Sequence, residues 1–441
     1  MIEHKELGIY LLEKAMKKGA DDVVVQIAKN QKAQSKFANN KISALKSWDS
    51  SDIGLFLAKD QKTVMTSLKK FSKKDANSLL DNAFNFLKKI DKNESYRGIA
   101  KGPFNYSKKE YYDPSVENLN VNELVKEGID LCKEKKIRKS AGVFENSIGE
   151  SYLLTSENVE AYERGSSLYF SFRALADKNS SGHTVAVSRN LSKLDFRNAV
   201  ERACDIAFKA KGSKKRVSGK FDVLFEPLAW ANLLETAGES SSIFSVEAGL
   251  SFFQDQLGKE VAHESVNFWD DATMNNGLGS CLFDAEGMPT KKNLIIENGK
   301  LKTYLHNTSS AKRYNVENTA NSGLVSPDAH NLVFEEGKYS KDKIFSEIKR
   351  GIWITNVWYT RFQNYATGDF STIPRDGIFL IENGEIVKPL KEIRITDNVI
   401  KLLKNVTQKG KEIEQIYSWE TSTPTFTPAV AVKDVNITKP H

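Results

Sequence analysis

The chain has 441 residues, of which 40% are hydrophobic and 27% are charged; this balance is ordinary for folded proteins and excludes a mainly disordered or fibrous chain. The length gives room for about three domains, and the apolar runs are far shorter than the ~20 residues of a membrane-spanning helix. The net charge of +7 is spread along the chain in lysine pairs, which disfavours a nucleic-acid-binding patch. We therefore expect a cytoplasmic protein that contacts no membrane.

One pattern occurs twice in the first half of the chain. Ser72 and Ser192, 120 residues apart, each precede an aspartate by three residues, and this spacing predicts the N-cap of a helix. Apolar residues then recur on one helical face in both copies, and they do so again near the start of each copy. Self-similarity of this kind indicates a repeated structural unit.

Between its helices, each copy shows the alternation of apolar and polar residues that is typical of strands. Strands are predicted in the first copy at 22–27, 33–37, 41–46, 52–57 and 62–67, and in the second at 141–145, 148–154, 159–163, 168–173 and 183–188. Turns are predicted at Asn39–Asn40 and Asp60–Gln61. The pattern predicts an α+β fold in which two helix–antiparallel sheet–helix units occupy 1–100 and 115–212.

The second half of the chain predicts a large β-rich domain over 221–441, which follows a basic linker at 211–220. Helices are predicted over 228–237, 246–257 and 398–404. Asn298–Gly299 and Asn383–Gly384 lie between alternating runs, which is a strong signal for hairpins. A final strand is predicted over 425–432.

The three cysteines, Cys132, Cys204 and Cys281, are too scattered for a disulfide framework or a zinc ribbon. Cys132 and Cys204 fall on apolar helix faces, so we expect both to be buried as small hydrophobic residues. Cys281 has no histidine close in sequence, and a packing role is expected for it as well. No pair of histidines stands one helical turn apart, and no P-loop or GxSxG elbow is present.

Several segments of the second half resemble motifs of the TldD/PmbA (TldE) family. They are Leu282–Gly287, Asn298–Leu301, Asn321–Gly323, Thr367–Ser371, Ile381–Glu385 and Ile395–Asn398. The resemblance implies a cytosolic peptidase family in which TldD and TldE subunits pair around an enclosed chamber and cleave unfolded or small peptides. Members are also described as modulators of DNA gyrase.

The chain departs from this family at the metal motif. In the TldD subunit a helix carries His-Glu-x-x-x-His, which holds the metal together with a later cysteine. Here Val246 and Ser251 stand where the two histidines would fall, Glu247 matches the general base, and no cysteine follows Cys281. Since valine has no donor atom, the resemblance is to the metal-free TldE branch, with no catalytic or metal-binding residue in this chain and zinc in a TldD-like partner subunit.

We therefore predict a non-catalytic subunit that helps to hold peptide substrates beside its partner. Polar turns of the β-rich domain are the predicted peptide-binding surface, and their residues are Asp284, Glu286, Asn321, Thr367, Asp369 and Ser371. Edge-strand addition would bind extended peptides without demanding a particular sequence.

Two alternatives stay open at this point. One is a self-sufficient peptidase or hydrolase, with an unconventional site that could include His263, His306 or His330. The other is a gyrase-associated or nucleic-acid-binding adaptor that would use the basic linker, with Lys214, Lys215 and Arg216.

Overall fold

The structure, a computed structural model, describes residues 4–213 and 216–439. The predicted α+β class is confirmed, because two helix–sheet–helix units precede a β-rich region. The first unit comprises α1 (Lys5–Lys17), β1 (Asp22–Ala38), β2 (Lys41–Lys59), β3 (Lys62–Leu68) and α2 (Lys73–Leu87). The second comprises α3 (Val121–Glu134), β4 (Lys139–Thr155), β5 (Glu160–Leu175), β6 (Ser181–Ser188) and α4 (Phe196–Lys209).

Each unit has three strands, two of them long, where the sequence predicted five short ones. β1 pairs with β2 from Asp22↔Ala58 to Ala38↔Lys41. The two strands predicted within β1 are continuous because the polar stretch between them contains no glycine or proline to turn the chain. The predicted turns at Asn39–Asn40 and Asp60–Gln61 are confirmed, and all four residues have positive φ, as turns that match strand twist require.

The two units form one six-stranded sheet in the order β3-β2-β1-β4-β5-β6. β1 and β4 pair antiparallel from Val24↔Thr155 to Ala38↔Ala141, and this ladder joins the units. Cys132 and Cys204 are buried in the apolar core between the sheet and the helices of the second unit, as predicted. The domain limits 1–100, 115–212 and 221–441 remain predictions.

The helix caps of the two units differ. The Ser72 side chain accepts a hydrogen bond from the Asp75 backbone N–H (3.1 Å) and caps α2, as predicted. The matching prediction for Ser192 is wrong, since this residue lies in a short 3₁₀ turn and Asp195 caps α4. A carboxylate directly before the helix satisfies its free N–H groups at least as well as a hydroxyl.

The C-terminal region starts with β7 (Gly219–Phe225), α5 (Pro227–Ser240) and α6 (Ile243–Glu247). One sheet has the order β10-β9-β8-β11-β18-β17, and its strands are β8 (Phe268–Asp271), β9 (Lys292–Glu297), β10 (Lys300–Leu301), β11 (Leu332–Phe334), β17 (Glu414–Ser418) and β18 (Thr421–Thr427). Between these elements lie α7 (Thr308–Tyr314), α8 (Lys341–Glu347) and α9 (Val399–Lys404).

The other sheet has the order β12-β7-β19-β15-β13-β14, and β16 pairs with β19. Its further strands are β12 (Arg350–Asn364), β13 (Asp369–Glu382), β14 (Glu385–Pro389), β15 (Arg394–Asn398), β16 (Val406–Lys409) and β19 (Val430–Thr438). α5 contacts strands of both sheets and is buried on almost every side. Its Trp230 packs between Phe225 and Phe334, with ring centroids 5.4 and 5.8 Å away.

Both predicted hairpins are confirmed at Asn298–Gly299 and Asn383–Gly384, where all four residues have positive φ. The predicted helix over 246–257 is wrong: α6 ends at Glu247, and Gly249, at φ 69°, turns the chain. The single strand predicted over 425–432 is also wrong. β18 and β19 lie in different sheets, with Pro428, which cannot donate to a ladder, between them.

Among the residues that the structure describes, none of the helices is long and apolar enough to cross a membrane.

Candidate functional site

The positions that match the family's metal motif lie at and beyond the end of α6. Glu247, its last residue, forms a bidentate ion pair with Arg313 of α7, with Nη1–Oε1 and Nη2–Oε2 distances of 2.5 and 3.0 Å. Such fork-to-fork pairs bind more strongly than single contacts and fix the orientation of both groups. The carboxylate that would act as general base therefore already holds a cation from its own chain.

The neighbouring motif positions offer no free donor atom. Val246 packs its apolar side chain against the core of the C-terminal region. Ser251 is buried; its Oγ donates to the Ser240 carbonyl (2.6 Å) and accepts from the Phe253 N–H (3.0 Å). A zinc site needs three or more protein ligands, and a guanidinium against Glu247 would repel the metal. These residues do not fit a zinc ion.

His306 lies close to this ion pair, with its ring centroid 5.7 Å from that of Tyr314. Its Nδ1 is 3.2 Å from the Ser310 hydroxyl. Burial lowers the pKa of His306 to about 4; Glu247 opposes this shift and Arg313 adds to it. The imidazole is therefore neutral at physiological pH.

The three histidines of the alternative metal site have different surroundings. His263 Nδ1 is 2.9 Å from the Ser265 hydroxyl, whereas His306 contacts Ser310 and His330 contacts Cys281. Across residues 4–213 and 216–439, no group of three or more His, Cys, Asp or Glu side chains is placed to hold a metal ion. The structure does not bring these histidines together.

Three of the predicted peptide-binding residues, Asp284, Glu286 and Asn321, are buried, with 3%, 2% and 1% exposure. Asp284 accepts from the backbone N–H groups of Glu286, Met288 and Ser322 at 2.9, 2.9 and 3.0 Å. Glu286 accepts from the Ser322 hydroxyl (3.0 Å). Through these hydrogen bonds the two carboxyl groups fix the position of the loop that contains Ser322.

The two carboxyl groups have raised pKa values. Burial raises the pKa of Asp284 to about 6, although three backbone N–H groups oppose the shift. Burial and the adjacent Asp284 raise the pKa of Glu286 to about 7. Burial in a low dielectric disfavours the charged form of a carboxyl group. Near neutral pH the pair is therefore not fully ionised.

The other three predicted residues belong to the turn between β12 and β13 and the start of β13. The Thr367 hydroxyl donates to Asp369 Oδ2 (2.6 Å), and Asn398 donates to Asp369 Oδ1 (2.9 Å). Ser371 is buried and accepts from Arg394 (3.1 Å). No hydrogen bond among the described residues links this group to Asp284, Glu286 and Asn321. Peptide binding by either group remains a prediction.

A cavity of about 520 Å³ lies between α6 and the β12–β13 turn. Exposed apolar side chains line it, namely Phe244, Leu250 and Tyr365. Glu239 and Asp328 supply carboxyl groups to the same cavity, and the pKa of Glu239 is raised, first by partial desolvation at the cavity wall and then by Glu235 and Asp328. Hydroxyl-bearing residues also line it: Thr236, Ser240, Ser242, Ser245, Ser326, Ser422 and Thr423. The cavity therefore combines apolar side chains, hydroxyl groups and two carboxyl groups.

The structure describes part of the basic linker of the adaptor alternative. Lys214 and Lys215 lie outside the described residues. Arg216 forms an ion pair with Glu392, so its charge is balanced within the chain.

The packing role predicted for Cys281 overlooked one contact. Its Sγ lies 3.4 Å from Nδ1 of His330, 49 residues further along the chain. Cys281 is partly exposed, unlike the two other cysteines. A search for histidines near in sequence could not find this pair, because two separate loops bring it together.

Comparison with known proteins matches more than half of the chain to one family. Residues 218–439 match the PmbA/TldA metallopeptidase C-terminal domain, and residues 112–211 match the central domain. A metalloprotease of Methanocaldococcus jannaschii is 28% identical over 357 residues, which cover 73% of this chain and 77% of the relative. The metalloprotease PmbA of Escherichia coli O157:H7 is 26% identical over 238 residues, covering 53% and 51% of the two chains.

Two solved structures share the fold over nearly their whole length. TldE from Thermococcus kodakarensis superposes with a TM-score of 0.88 at 22% identity, covering 97% of this chain and 99% of that one. A Thermotoga maritima protein named as a proposed modulator of a DNA gyrase gives 0.88 at 24% identity, with 99% and 100% covered. With the family match over more than half of its sequence, the chain belongs to the TldD/PmbA metallopeptidase family.

Proposed function

We propose that this chain is a TldE-like companion subunit of a cytoplasmic metallopeptidase, without a zinc site of its own. A TldD-like partner subunit would supply the zinc, and the assembly would hydrolyse small or unfolded peptides. The structural likeness to a TldE supports the assignment to this branch.

The ion pair between Glu247 and Arg313 is the observation that carries this proposal. A general base in a metallopeptidase acts on a water molecule that a metal ion polarises. Here the carboxylate faces a guanidinium instead, at 2.5 and 3.0 Å, and guanidinium keeps its charge at any physiological pH. The arrangement neutralises Glu247 and fixes α6 against α7, which is a structural task.

The contribution of this subunit to peptide binding would come from the cavity beside α6. Phe244, Leu250 and Tyr365 offer apolar contacts, and the carboxyl groups of Glu239 and Asp328 favour basic or amino-terminal groups. Thr367 and Asp369 closely follow Tyr365 in the sequence, and both are exposed. Asp284, Glu286, Asn321 and Ser371, which are buried, would support this surface from beneath.

The proposal can be tested by purifying the full chain alone and together with a family member that carries His-Glu-x-x-x-His. We expect the chain alone to contain far less than one zinc per molecule and to show no chelator-sensitive peptidase activity. We expect the complex to contain zinc and to show chelator-sensitive peptidase activity. Stoichiometric zinc and peptidase activity in the chain alone would refute the proposal.

A Glu247→Gln variant in the complex gives an independent test. Removal of a working general base lowers the rate by about 10²-fold or more. We expect this variant to keep most of the activity of the complex, with Asp75→Asn, at a helix cap in the first unit, as the control. A rate loss of that size in Glu247→Gln alone would show that Glu247 acts in catalysis.

A further inference from the structure

Cys281 and His330 form a pair that the proposed peptidase role does not use. Cys281 lies in the loop between β8 and β9, and His330 directly precedes β11. Their Sγ and Nδ1 atoms are 3.4 Å apart, within hydrogen-bonding distance for sulfur. A thiol next to an imidazole is the arrangement that activates cysteine as a nucleophile.

The second ring nitrogen of His330 determines which way this hydrogen bond runs. Its Nε2 lies 3.1 Å from the Ala320 carbonyl oxygen. A carbonyl can only accept, so Nε2 must carry a hydrogen. In the neutral ring, Nδ1 is then unprotonated and accepts from the Cys281 thiol. Transfer of that proton gives a thiolate beside an imidazolium, and Nε2 keeps its bond to Ala320 in both states.

The surroundings favour the charged form of His330. Its backbone N–H donates to the buried carboxylate of Asp270 (2.7 Å). Burial lowers the pKa of His330, but the Cys281 sulfur and Asp270 outweigh this effect and raise it to about 10. The titratable and charged groups that act on the pair are Tyr111, Glu163, Arg189, Asp270, Asp284 and Asp328.

Arg189 adds a permanent positive charge on the cysteine side. Its guanidinium is buried and donates to the carbonyl groups of Gly277, Leu278 and Ser280, which lead up to Cys281. Nearby positive charge stabilises a thiolate relative to a thiol. Cys281 therefore has a base, a fixed imidazole tautomer and a cation around it.

Cys281 is also reachable. It is partly exposed, whereas Cys132 and Cys204 are 0% and 1% exposed in the core of the second unit. A cavity of about 340 Å³ between the N-terminal sheet and the C-terminal region is lined by Ser280, the preceding residue, and by Arg189. Cys281 itself does not line this cavity, so a small reagent would reach its sulfur through the partly exposed side of the loop.

We propose that Cys281 is a reactive thiolate site that small hydroperoxides oxidise to a sulfenic acid. The thiolate sulfur attacks one oxygen of the peroxide, the S–O bond forms and the O–O bond breaks. The leaving hydroxide, or alkoxide, takes the proton from Nδ1 of His330 and departs as water or an alcohol. Sulfur is oxidised by two electrons and the peroxide is reduced by two.

The product would not be resolved within the chain. Formation of a disulfide needs a second sulfur within reach, and both other cysteines are buried together in a different core cluster. The sulfenic acid would therefore be capped by a low-molecular-weight thiol, or reduced by one, and the modification would be reversible.

Alkylation of the folded, reduced full chain with iodoacetamide tests the thiolate, with each cysteine followed by mass spectrometry. A free thiol with a pKa of about 8.5 loses roughly 100-fold in rate between pH 8.5 and pH 6. We expect the loss of rate at Cys281 to be several-fold smaller than this. The same chain in urea supplies the ordinary profile, so this measurement needs no variant. An ordinary profile for Cys281 in the folded chain would overturn the proposal.

Two variants then identify the base, and a trap identifies the product. His330→Gln should give Cys281 the ordinary pH profile, whereas His263→Gln, at an exposed histidine bonded to Ser265, should leave it unchanged. Hydrogen peroxide followed by dimedone should label Cys281 and neither Cys132 nor Cys204. Equal profiles in both variants, or no dimedone adduct at Cys281, would overturn the assignment. These outcomes do not depend on a partner subunit or on zinc.

Discussion

Two buried acidic sites in the C-terminal region show opposite behaviour. Glu226, 4% exposed, accepts from Lys341 and Trp353 at 2.8 Å each and from Arg202 at 3.2 Å. Burial raises its pKa, but Lys341 and Arg202 outweigh this effect, so its pKa is lowered. Glu286 is buried to the same degree, and its pKa is raised to about 7.

The difference lies in the partners. Neither Asp284 nor Glu286 has an ion-pair partner among the described residues, and their hydrogen bonds come from backbone N–H groups and the Ser322 hydroxyl. Burial alone therefore does not decide whether a carboxyl group is charged; nearby cations do. Glu226 joins α4 and α8 through ion pairs and β12 through the Trp353 indole N–H, whereas the Asp284–Glu286 pair supports a loop while partly protonated.

The largest expected effect is at Glu226. Glu226→Gln replaces two charge-assisted hydrogen bonds to the buried carboxylate, from Arg202 and Lys341 (31% and 40% exposed), by neutral ones, and we expect it to lower the free energy of unfolding by about 3 kcal/mol. Denaturant unfolding at pH 7 measures this change. Glu414→Gln removes the other carboxylate of Arg202, which is 35% exposed, and should cost about 0.5 kcal/mol. Equal losses of stability in Glu226→Gln and Glu414→Gln would contradict the expected difference between a buried and a partly exposed carboxylate.

The second prediction concerns pH at Glu286. Because its pKa in the folded chain lies above that of the unfolded chain, the folded state holds the extra proton, and stability falls as pH rises through that window. We expect Glu286 to reduce the free energy of unfolding by about 2 kcal/mol between pH 5 and pH 8. Glu286→Gln should keep the bond to Ser322 and remove this loss.

Unfolding of wild type and Glu286→Gln at both pH values measures the effect as a difference between the two proteins. The free energy of unfolding of the variant should increase relative to that of the wild type as the pH rises. Glu239→Gln, in the open cavity beside α6, shows whether a second carboxyl group with a raised pKa gives the same dependence of stability on pH. If the stability difference at Glu286 were constant with pH, the carboxyl would be ionised throughout.

The smallest expected effect is at the ion pair of the metal-motif position. Arg313→Met removes the partner of Glu247, whose side chain is 28% exposed and can turn to water. We expect a loss of about 1 kcal/mol in the free energy of unfolding. Lys302→Met breaks a more exposed pair, with Glu297, at 49% and 44% exposure, and should cost about 0.3 kcal/mol. A loss at Arg313 as large as that at Glu226 would mean that exposure does not matter.

Features set by neighbouring residues could be predicted from the sequence. The turn at Asn39–Asn40, the cap at Ser72 and the hairpin at Asn298–Gly299 depend on the chemistry of two to four consecutive residues. The same reasoning was wrong at Ser192, where Asp195 competes for the same helix end. It was also wrong beyond Glu247, because Phe252 and Phe253 are buried in an irregular segment and not on a helix.

The candidate sites depend on contacts between distant parts of the chain. Glu247 and Arg313 are 66 residues apart, and Cys281 and His330 are 49 apart. No periodicity connects such residues, so the sequence could indicate a missing metal motif but not the arginine beside Glu247. Likewise, polar turn residues around Asp284 were predicted to face a peptide, and the burial of that carboxyl became visible only with the fold.

The β1–β4 ladder bears on how the N-terminal half of this molecule could have arisen and how it would behave if divided. Each three-stranded unit alone would have a long unpaired edge strand, which is β1 in one unit and β4 in the other. Exposed edge strands of this kind template association with other chains. A fragment containing a single unit should therefore self-associate through that edge strand. Two such units joined in one chain, as here, form the same pairing within one molecule.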